Sequence, residues 1–578
     1  MNPRSGRKLF LSIFVLLLVP SLATVQAQST NRQIGTQFEV TADPLVPRPD
    51  ERPCVVPLFS GYQFAFFSES NQTFAFTPPS DCSGPWEKVV LDIDFSENGG
   101  RQFDRTASLY IANANVYFGT TPEPLPALTN TWHIERDITD YSSLFAIPQQ
   151  GVIVLQNCTT DCPPPYNTLL TGIFTVNAHL EFYPARGDEG GRRGRDDRHR
   201  SQRVPDQVLP LTQGNGSGGI NLPATLGSPT DQLSTTFTLP PNTEQAYLDV
   251  VAQSQSTDEQ WYACLPNDLA AINDVYGCGN TDFRETEVTI DGQLAGIAPV
   301  SPWVYTGFLP DQWRPMPGAQ TLDFVPYRVN LSPFASVLSD GKPHTVAISV
   351  FNDDGYFSAT ASLLLFVDSR TSHVTGAVTK NTLTSPSPVV TENLTGTSIV
   401  TGTVDVAVKR NFTIAGYVNT SHGKVWTSVS ERQDFFSVQT LDIDTVNGTV
   451  VDQNTDVKTS VSATSSVSAD DGTIVTRDNF SFPITVDFIA PVPSAHYGFT
   501  VTTGQKYQAD REVSRDGRVI FADAVTNSVN ATDVSPASSS QTYTSFDSEN
   551  GFYNCHIATA NNTLTSVSRG CNEDQDNH

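Results

Sequence analysis

Phe174-Thr-Val-Asn-Ala-His-Leu-Glu-Phe182 carries an apolar side chain at every second position. Phe174, Val176, Ala178, Leu180 and Phe182 therefore share one face of an extended chain, and Thr175, Asn177, His179 and Glu181 share the other. A helical period of 3.6 would scatter both sets, so the stretch reads as a β-strand with one buried face. Val89, Leu91, Ile93 and Phe95 alternate in the same way with Val90, Asp92 and Asp94, and the pattern returns at Val346, Ile348 and Val350. The 38 glycines and 39 prolines cut the chain into short segments, and long helices are hard to find. The expected fold class is all-β, built from sandwiches or jelly rolls.

Residues 1–27 read as an export leader. Arg4, Arg7 and Lys8 precede the apolar run Leu9 to Val19, and Val25-Gln26-Ala27 offers small residues for cleavage. No later apolar run approaches the roughly 20 residues that span a bilayer. The expected location is secreted, or vacuolar by way of the secretory pathway. Eleven Asn-x-Ser/Thr sequons agree with that route: Asn71, Asn157, Asn215, Asn330, Asn393, Asn411, Asn419, Asn447, Asn479, Asn530 and Asn561. The eight cysteines fall as near neighbours, Cys54/Cys82, Cys158/Cys162, Cys264/Cys278 and Cys555/Cys571. In an oxidising compartment this layout suggests four local disulfides, although spacing does not determine the pairing. There is no C-x₂-C spacing, no H-E-x-x-H and no close histidine pair, so no metal site is expected.

A net charge of −27 argues against nucleic acid as a partner. About 550 residues beyond the leader exceed a single core, and three domains are expected. Residues 45–185 form the first. Residues 186–215 read as a disordered linker, because seven arginines lie between Arg186 and Arg203 among Gly and Asp. Arg192-Arg193 within it offers a protease-sensitive joint whose cleavage would leave two associated chains. Residues 216–370 form the second domain, 371–395 a Ser/Thr/Pro-rich connection, 396–565 a β-rich accessory domain and 572–578 a disordered tail.

Two clusters carry chemistry. Gly100-Arg-Gln-Phe-Asp-Arg105 runs into the strand Ala107-Ser-Leu-Tyr-Ile111. Asp104, Thr106, Ser108 and Tyr110 share its polar face, so Asp104 stands at a strand end where it can act on a substrate. Residues 256–318 hold Asp258, Glu259, Trp261 and Tyr262 close together, then Asp282, Arg284 and Glu285, then Trp313 and Arg314. Aromatic rings beside carboxylates suit sugar recognition, because pyranose C–H faces pack on rings while hydroxyls bond carboxylates. Arg284 shares a face with Val288 and Ile290, so it needs a carboxylate or a ligand as partner. Trp303 reads as core. His179, on a polar strand face, reads as solvated.

Taken together, the segments Gly100-Arg-Gln-Phe-Asp-Arg105, Val116-Tyr-Phe-Gly-Thr-Thr-Pro-Glu-Pro124, Arg136-Asp-Ile-Thr-Asp-Tyr141, Asp258-Glu-Gln-Trp-Tyr262, Phe283-Arg-Glu285, Pro310-Asp-Gln-Trp-Arg-Pro315, Val329-Asn-Leu-Ser-Pro-Phe334 and Asp340-Gly-Lys-Pro-His344 resemble the peptide-N-glycanase A family. These are peptide-N4-(N-acetyl-β-glucosaminyl)asparagine amidases of plants and fungi. A more distant likeness links Phe103-Asp-Arg-Thr-Ala-Ser-Leu-Tyr110 to the peptide-N-glycanase F enzymes, which are two adjacent jelly rolls. The resemblance implies two adjacent jelly-roll domains here, with the β-rich C-terminal domain beyond them. It implies hydrolysis of the Asn side-chain amide to the innermost GlcNAc of N-linked glycopeptides or glycoproteins, leaving Asp and a glycosylamine, with no cofactor. It assigns catalysis to Asp104 with Arg105 beside it, and to Glu259 with Arg284; Asp258, Asp282 and Glu285 stay open as the second acid. Substrate contacts would fall to Glu123, Trp261, Trp313 and Arg314. A non-catalytic N-glycan-binding glycoprotein is the competing expectation.

Overall fold

A computed structural model describes residues 34–36, 39–123, 129–185, 203–212, 221–272, 278–306, 315–470, 472–489, 500–534 and 536–571. The leader, Arg192-Arg193, Trp313, Arg314, Asn215 and the tail 572–578 lie outside the described residues. The fold is β throughout, as the alternation predicts. No described helix is long and apolar enough to cross a membrane.

The first domain is a sandwich of two four-stranded antiparallel sheets. One holds, in spatial order, Cys54–Phe64, Phe174–Pro184, Trp86–Glu97 and Asn130–Asp137. The other holds Asn71–Phe76, Gln149–Leu155, Thr106–Ile111 and Ala114–Thr120. First strand beside last and second beside second-to-last is the winding of a jelly roll. Phe174, Val176, Ala178, Leu180 and Phe182 fill its core with Val89, Leu91, Ile93 and Phe95. The second domain repeats the winding. Gln207–Pro210, Tyr356–Val367, Thr243–Gln255 and Tyr327–Asn330 make one sheet, with Ala224–Leu226 beside Tyr356–Val367; Leu233–Phe237, His344–Phe351, Glu285–Ile290 and Gln293–Pro299 make the other.

The two domains meet sheet to sheet. Ala107, Leu109 and Ile111 point into the first core, while Ser108 and Tyr110 on the opposite face are also fully buried. Thr106 meets Gln253 of the second domain at 2.9 Å, and Gln253 Nε2 donates to Thr120 Oγ1 at 2.5 Å. The polar face of this strand therefore packs against the partner domain, and the segment just before it lies at the seam.

Beyond the second domain an eleven-stranded antiparallel sheet runs from Thr375–Asn381 to Thr563–Val567. Its inner face carries Val404, Val406, Val408, Phe412, Ile414, Phe435 and Leu441 into the second domain's core. Glutamines on that face bond the domains beneath: Gln439 to Cys264 O and Asp282, Gln453 to Ala263 O, Gln505 to Pro302 O. Two expected boundaries are corrected. Gln207–Pro210, assigned to the linker, pairs with Leu365 to Ser362 as an edge strand, because its apolar side chains have a groove to fill. The connection 371–395 contains the strands Thr375–Asn381 and Val389–Thr395, whose Thr and Val residues favour extended backbone beside Ile399–Thr420.

The four cysteine pairs read as near neighbours are all bridged: Cys54–Cys82, Cys158–Cys162, Cys264–Cys278 and Cys555–Cys571. Asn157 is corrected as a glycosylation candidate. Its side chain is fully buried, and Nδ2 donates to Phe64 O and Gly172 O, so the native fold leaves no room for a glycan. Asn71, Asn393, Asn411, Asn419, Asn447, Asn479, Asn530 and Asn561 are exposed. Asn330 is half-buried and donates to Ser465 Oγ at 2.8 Å.

Candidate active site

The segment 100–105 is held as a rigid shelf before the strand Thr106–Ile111. Gly100 lies so close to its neighbours that a Cβ there would sit 2.6 Å from Gly172 N, which is why this position needs glycine. Gln102, buried, donates to Cys158 O at 2.9 Å and Gly172 O at 3.0 Å, and the Cys158–Cys162 bridge steadies that loop. Arg105 closes a two-way link with Thr121: Arg105 N donates to Thr121 Oγ1 at 2.8 Å, and Thr121 N to Arg105 O at 2.8 Å. Asp104 is thereby fixed at the seam. The Arg105 guanidinium accepts no freedom either, since Nη2 bonds Gln102 Oε1 at 3.0 Å and the group lies 5.7 Å over the Phe103 ring.

Two further carboxylates reach the same place. Glu123 follows the strand Ala114–Thr120, and its N–H donates to Thr306 Oγ1 of the second domain at 2.7 Å. Glu259 follows the long strand Thr243–Gln255 and a 3₁₀ turn at Ser256–Asp258, where Ser256 takes φ 59°. Ser254 Oγ donates to Glu259 O at 3.1 Å and accepts Trp303 Nε1–H at 3.0 Å, so the buried Trp303 supports the turn as core.

All three carboxylates are part-exposed. Burial raises the Asp104 pKa to about 6 against the pull of Arg105. Burial, then repulsion from Asp104, lifts Glu123 well above the carboxylate range, opposed by Arg101, the Asp104 N–H and Arg105. Glu259 is lifted well above it by burial, then by Asp104 and Glu123. Burial lowers the Arg105 pKa, with Asp104 and Glu123 resisting. Glu259 Oε1 and Arg105 Nε are enclosed atoms without a hydrogen-bond partner. Tyr356 completes the site. It begins the strand Tyr356–Val367 opposite Gln255, and its phenol is raised by burial and by Glu259 and Asp104.

The other expected residues sit elsewhere. Arg284 is fully buried behind the site, with Nε and Nη2 on Asp258 Oδ1, so Asp258 is its partner and neither faces Asp104. Trp261 is fully enclosed against Tyr262 and Phe435 and cannot offer a ring face to a sugar; its assignment as a substrate contact is corrected. Asp282 accepts from Gln439, and Glu285 pairs with Arg410 and Gln433 of the C-terminal sheet. Of the four acids left open, Glu259 is the one whose field reaches Asp104. Sequence reading missed Tyr356 because only strand pairing brings it beside residue 255.

A sequence profile for peptide N-acetyl-β-D-glucosaminyl asparaginase amidase A matches residues 44–383, more than half of the chain and all of the site. The chain belongs to this family. Peptide-N4-(N-acetyl-β-glucosaminyl)asparagine amidase A of Prunus dulcis is 30% identical over 411 residues, covering 69% of this chain and 68% of that protein. Among solved structures, a peptide-N(4)-(N-acetyl-β-D-glucosaminyl)asparagine amidase at 2.2 Å is 15% identical, with 54% of this chain and 96% of that one covered and a TM-score of 0.35. PNGase F, a glycosylasparaginase from Flavobacterium meningosepticum, is 15% identical over 55% and 96% of the two chains, also with a TM-score of 0.35. The family match spans both sandwich domains and so takes in Asp104, Glu123 and Glu259 together.

Proposed function

We propose that the chain hydrolyses the side-chain amide between Asn and the innermost GlcNAc of N-glycopeptides, leaving Asp in the peptide and a 1-amino-glycan. The observation that carries this reading is the convergence of Asp104 and Glu123 from one domain with Glu259 from the other, at separated proton affinities. Such separation is what acid and base roles require at one pH.

In this reading Asp104, ionised above about pH 6, takes a proton from water as the oxygen attacks the amide carbon. Arg105 stabilises the oxyanion that forms. The C–N bond then breaks while Glu259, still protonated, gives its proton to the departing nitrogen. Glu123, also protonated, donates to a sugar hydroxyl or the acetamido oxygen. These steps use protein side chains and water alone.

Four disulfides and eight exposed sequons support residence in the secretory route, outside the cell or in a vacuole. Incubation with a short N-glycopeptide tests the activity, read as the Asn-to-Asp mass gain of about 1 Da expected for amide hydrolysis. Asp104→Asn should lower kcat by about 10²- to 10⁴-fold while glycopeptide binding persists. Glycan release with Asn unchanged, or binding without any hydrolysis by the native chain, would reject it.

A further inference from the structure

Two aromatic rings face outward at the tip of the hairpin formed by Ile399–Thr420 and Gly423–Asp444 in the C-terminal sheet. Tyr417 and Trp426 stand directly opposite each other across the two strands, with ring centroids 4.8 Å apart. Val418 and Val425, their neighbours along the chain, are buried, so both rings point to the other face. Trp426 is 44% exposed. Ala415, Ser428, Ser466 and Ser468 surround the pair on that face and are too small to cover an indole. An open Tyr–Trp pair is a binding surface, because rings gain most from an apolar partner laid on them.

A partner is tethered beside it. Asn419 opens the sequon Asn419-Thr-Ser421 and pairs with Lys424, next to the Tyr417–Trp426 pair on the turn side. Residues two apart on a strand share a face about 7 Å apart, so the Asn419 amide stands beside the rings. Its Nδ2 donates to Thr375 Oγ1 at 3.0 Å. A glycosylated amide keeps one N–H, so that bond and a sugar can coexist. Lys424, across from Asn419, lays its Nζ 3.9 Å from the Tyr417 centroid and 4.9 Å from that of Trp426. The ring faces are therefore within reach from this position.

A pyranose offers its C–H face to rings and its hydroxyls to an ammonium, and Tyr417, Trp426 and Lys424 supply both. Other exposed sequons on this sheet lack such a seat. Asn411 faces Arg432, Asn479 faces Ser462 and Asp510, and Asn530 faces Gly504 and Ser540.

We propose that Tyr417 and Trp426 seat the first GlcNAc of a glycan on Asn419, with Lys424 bonding its hydroxyls. This seat presupposes passage through the secretory route. Its consequence is mechanical. On the inner side of the hairpin, Val418 and Val425 join a buried cluster with Ala335 and Val374. At the tip, Ser421 N and Oγ donate to the two oxygens of Asp368, just past the strand Tyr356–Val367. A sugar laid across both strands from outside stiffens the tip that fastens the C-terminal sheet to the second domain.

The test uses full-length protein from a host that adds oligomannose glycans. Peptide mapping should find Asn419 occupied, and Asn419→Gln should lower Tm by about 2–4 °C. In a Trp426→Ser background that loss should vanish, because the seat is gone. Trimming the native protein to single GlcNAc residues with an endo-β-N-acetylglucosaminidase should leave Tm unchanged. An equal loss with and without Trp426 would overturn the proposal, as would a fall in Tm on trimming, which would assign the effect to outer sugars. An empty Asn419 beside occupied Asn411 and Asn479 would overturn it and leave the secretory route standing, whereas empty sequons throughout would reject both. If Trp426→Ser folds poorly, Tyr417→Ser decides by the same comparison.

Discussion

Arg284 directs both Nε and Nη2 at one oxygen of Asp258, at 2.9 and 2.7 Å, and neither side chain reaches solvent. The other oxygen of Asp258 accepts the N–H groups of Asp354 and Gly355, at 2.7 and 2.8 Å. Asp258 immediately precedes Glu259, and Gly355 immediately precedes Tyr356. One buried ion pair therefore sets the relative position of two site residues without touching substrate.

Removing one partner of such a pair strands the other as a buried charge, at a cost of about 3–5 kcal/mol. Arg284→Met should lower stability by that order in denaturant melts and reduce kcat in the fraction that stays folded. Asp258→Asn with Arg284→Met should recover part of the loss. A single variant with native stability would show that the pair does not hold the turns.

The proton affinities predict a bell-shaped pH profile. Below about pH 6 Asp104 is protonated and cannot act as base, so kcat/KM should rise about tenfold per pH unit up to that point. The rate should fall again where Glu259, held well above the carboxylate range, loses its proton. Glu259→Gln should lower the rate and erase the alkaline limb only. A profile that keeps both limbs in that variant would remove Glu259 from the acid role.

Tyr356 should matter through its hydroxyl. Burial beside Glu259 and Asp104 keeps the phenol protonated, hence a donor facing two carboxylates. Tyr356→Phe should lower kcat by about 10- to 100-fold, the scale of one hydrogen bond to a charged group at about 1.5–3 kcal/mol. Unchanged kinetics would leave Tyr356 as wall alone.

Peptide mapping of protein from a glycosylating host should find glycan at exposed sequons such as Asn411, Asn419 and Asn479 and none at Asn157. On the three strands Ile399–Thr420, Gly472–Ile489 and Arg518–Thr532, Asn411, Asn479 and Asn530 alternate with inward-facing neighbours, so these glycans coat the outer face of the large sheet. Asn157→Ala should cost about 1–3 kcal/mol by removing the buried hydrogen bonds to Phe64 O and Gly172 O, the second of which keeps Gln102 as donor. Glycan at Asn157 in folded protein would contradict the buried amide.

Legibility varied with the range of the interaction. The alternation from Phe174 to Phe182 is a local property, because side chains two apart share a strand face whatever packs against it, and it returned the correct core face. The polar face of Thr106–Ile111 misled in part: Ser108 and Tyr110 read as outward yet are sealed against the second domain. Leu363, Leu364 and Leu365 divide between the two cores, the middle one facing the first domain. Trp261 failed for a related reason, since an aromatic beside acids looks the same in sequence whether it faces solvent or Phe435.

By itself the sequence determined the strand pattern, the near-neighbour cysteines, the family motifs and Asp104 at a strand end, because each depends on residues close along the chain. Only the tertiary structure decided which acid joins Asp104. Asp258, Glu259, Asp282 and Glu285 are close in sequence, yet Arg284, Gln439 and Arg410 draw three of them into buried pairs. Glu259 alone among them has a proton affinity raised partly by Asp104. That selection rests on electrostatics across a seam between two domains, which no local pattern encodes.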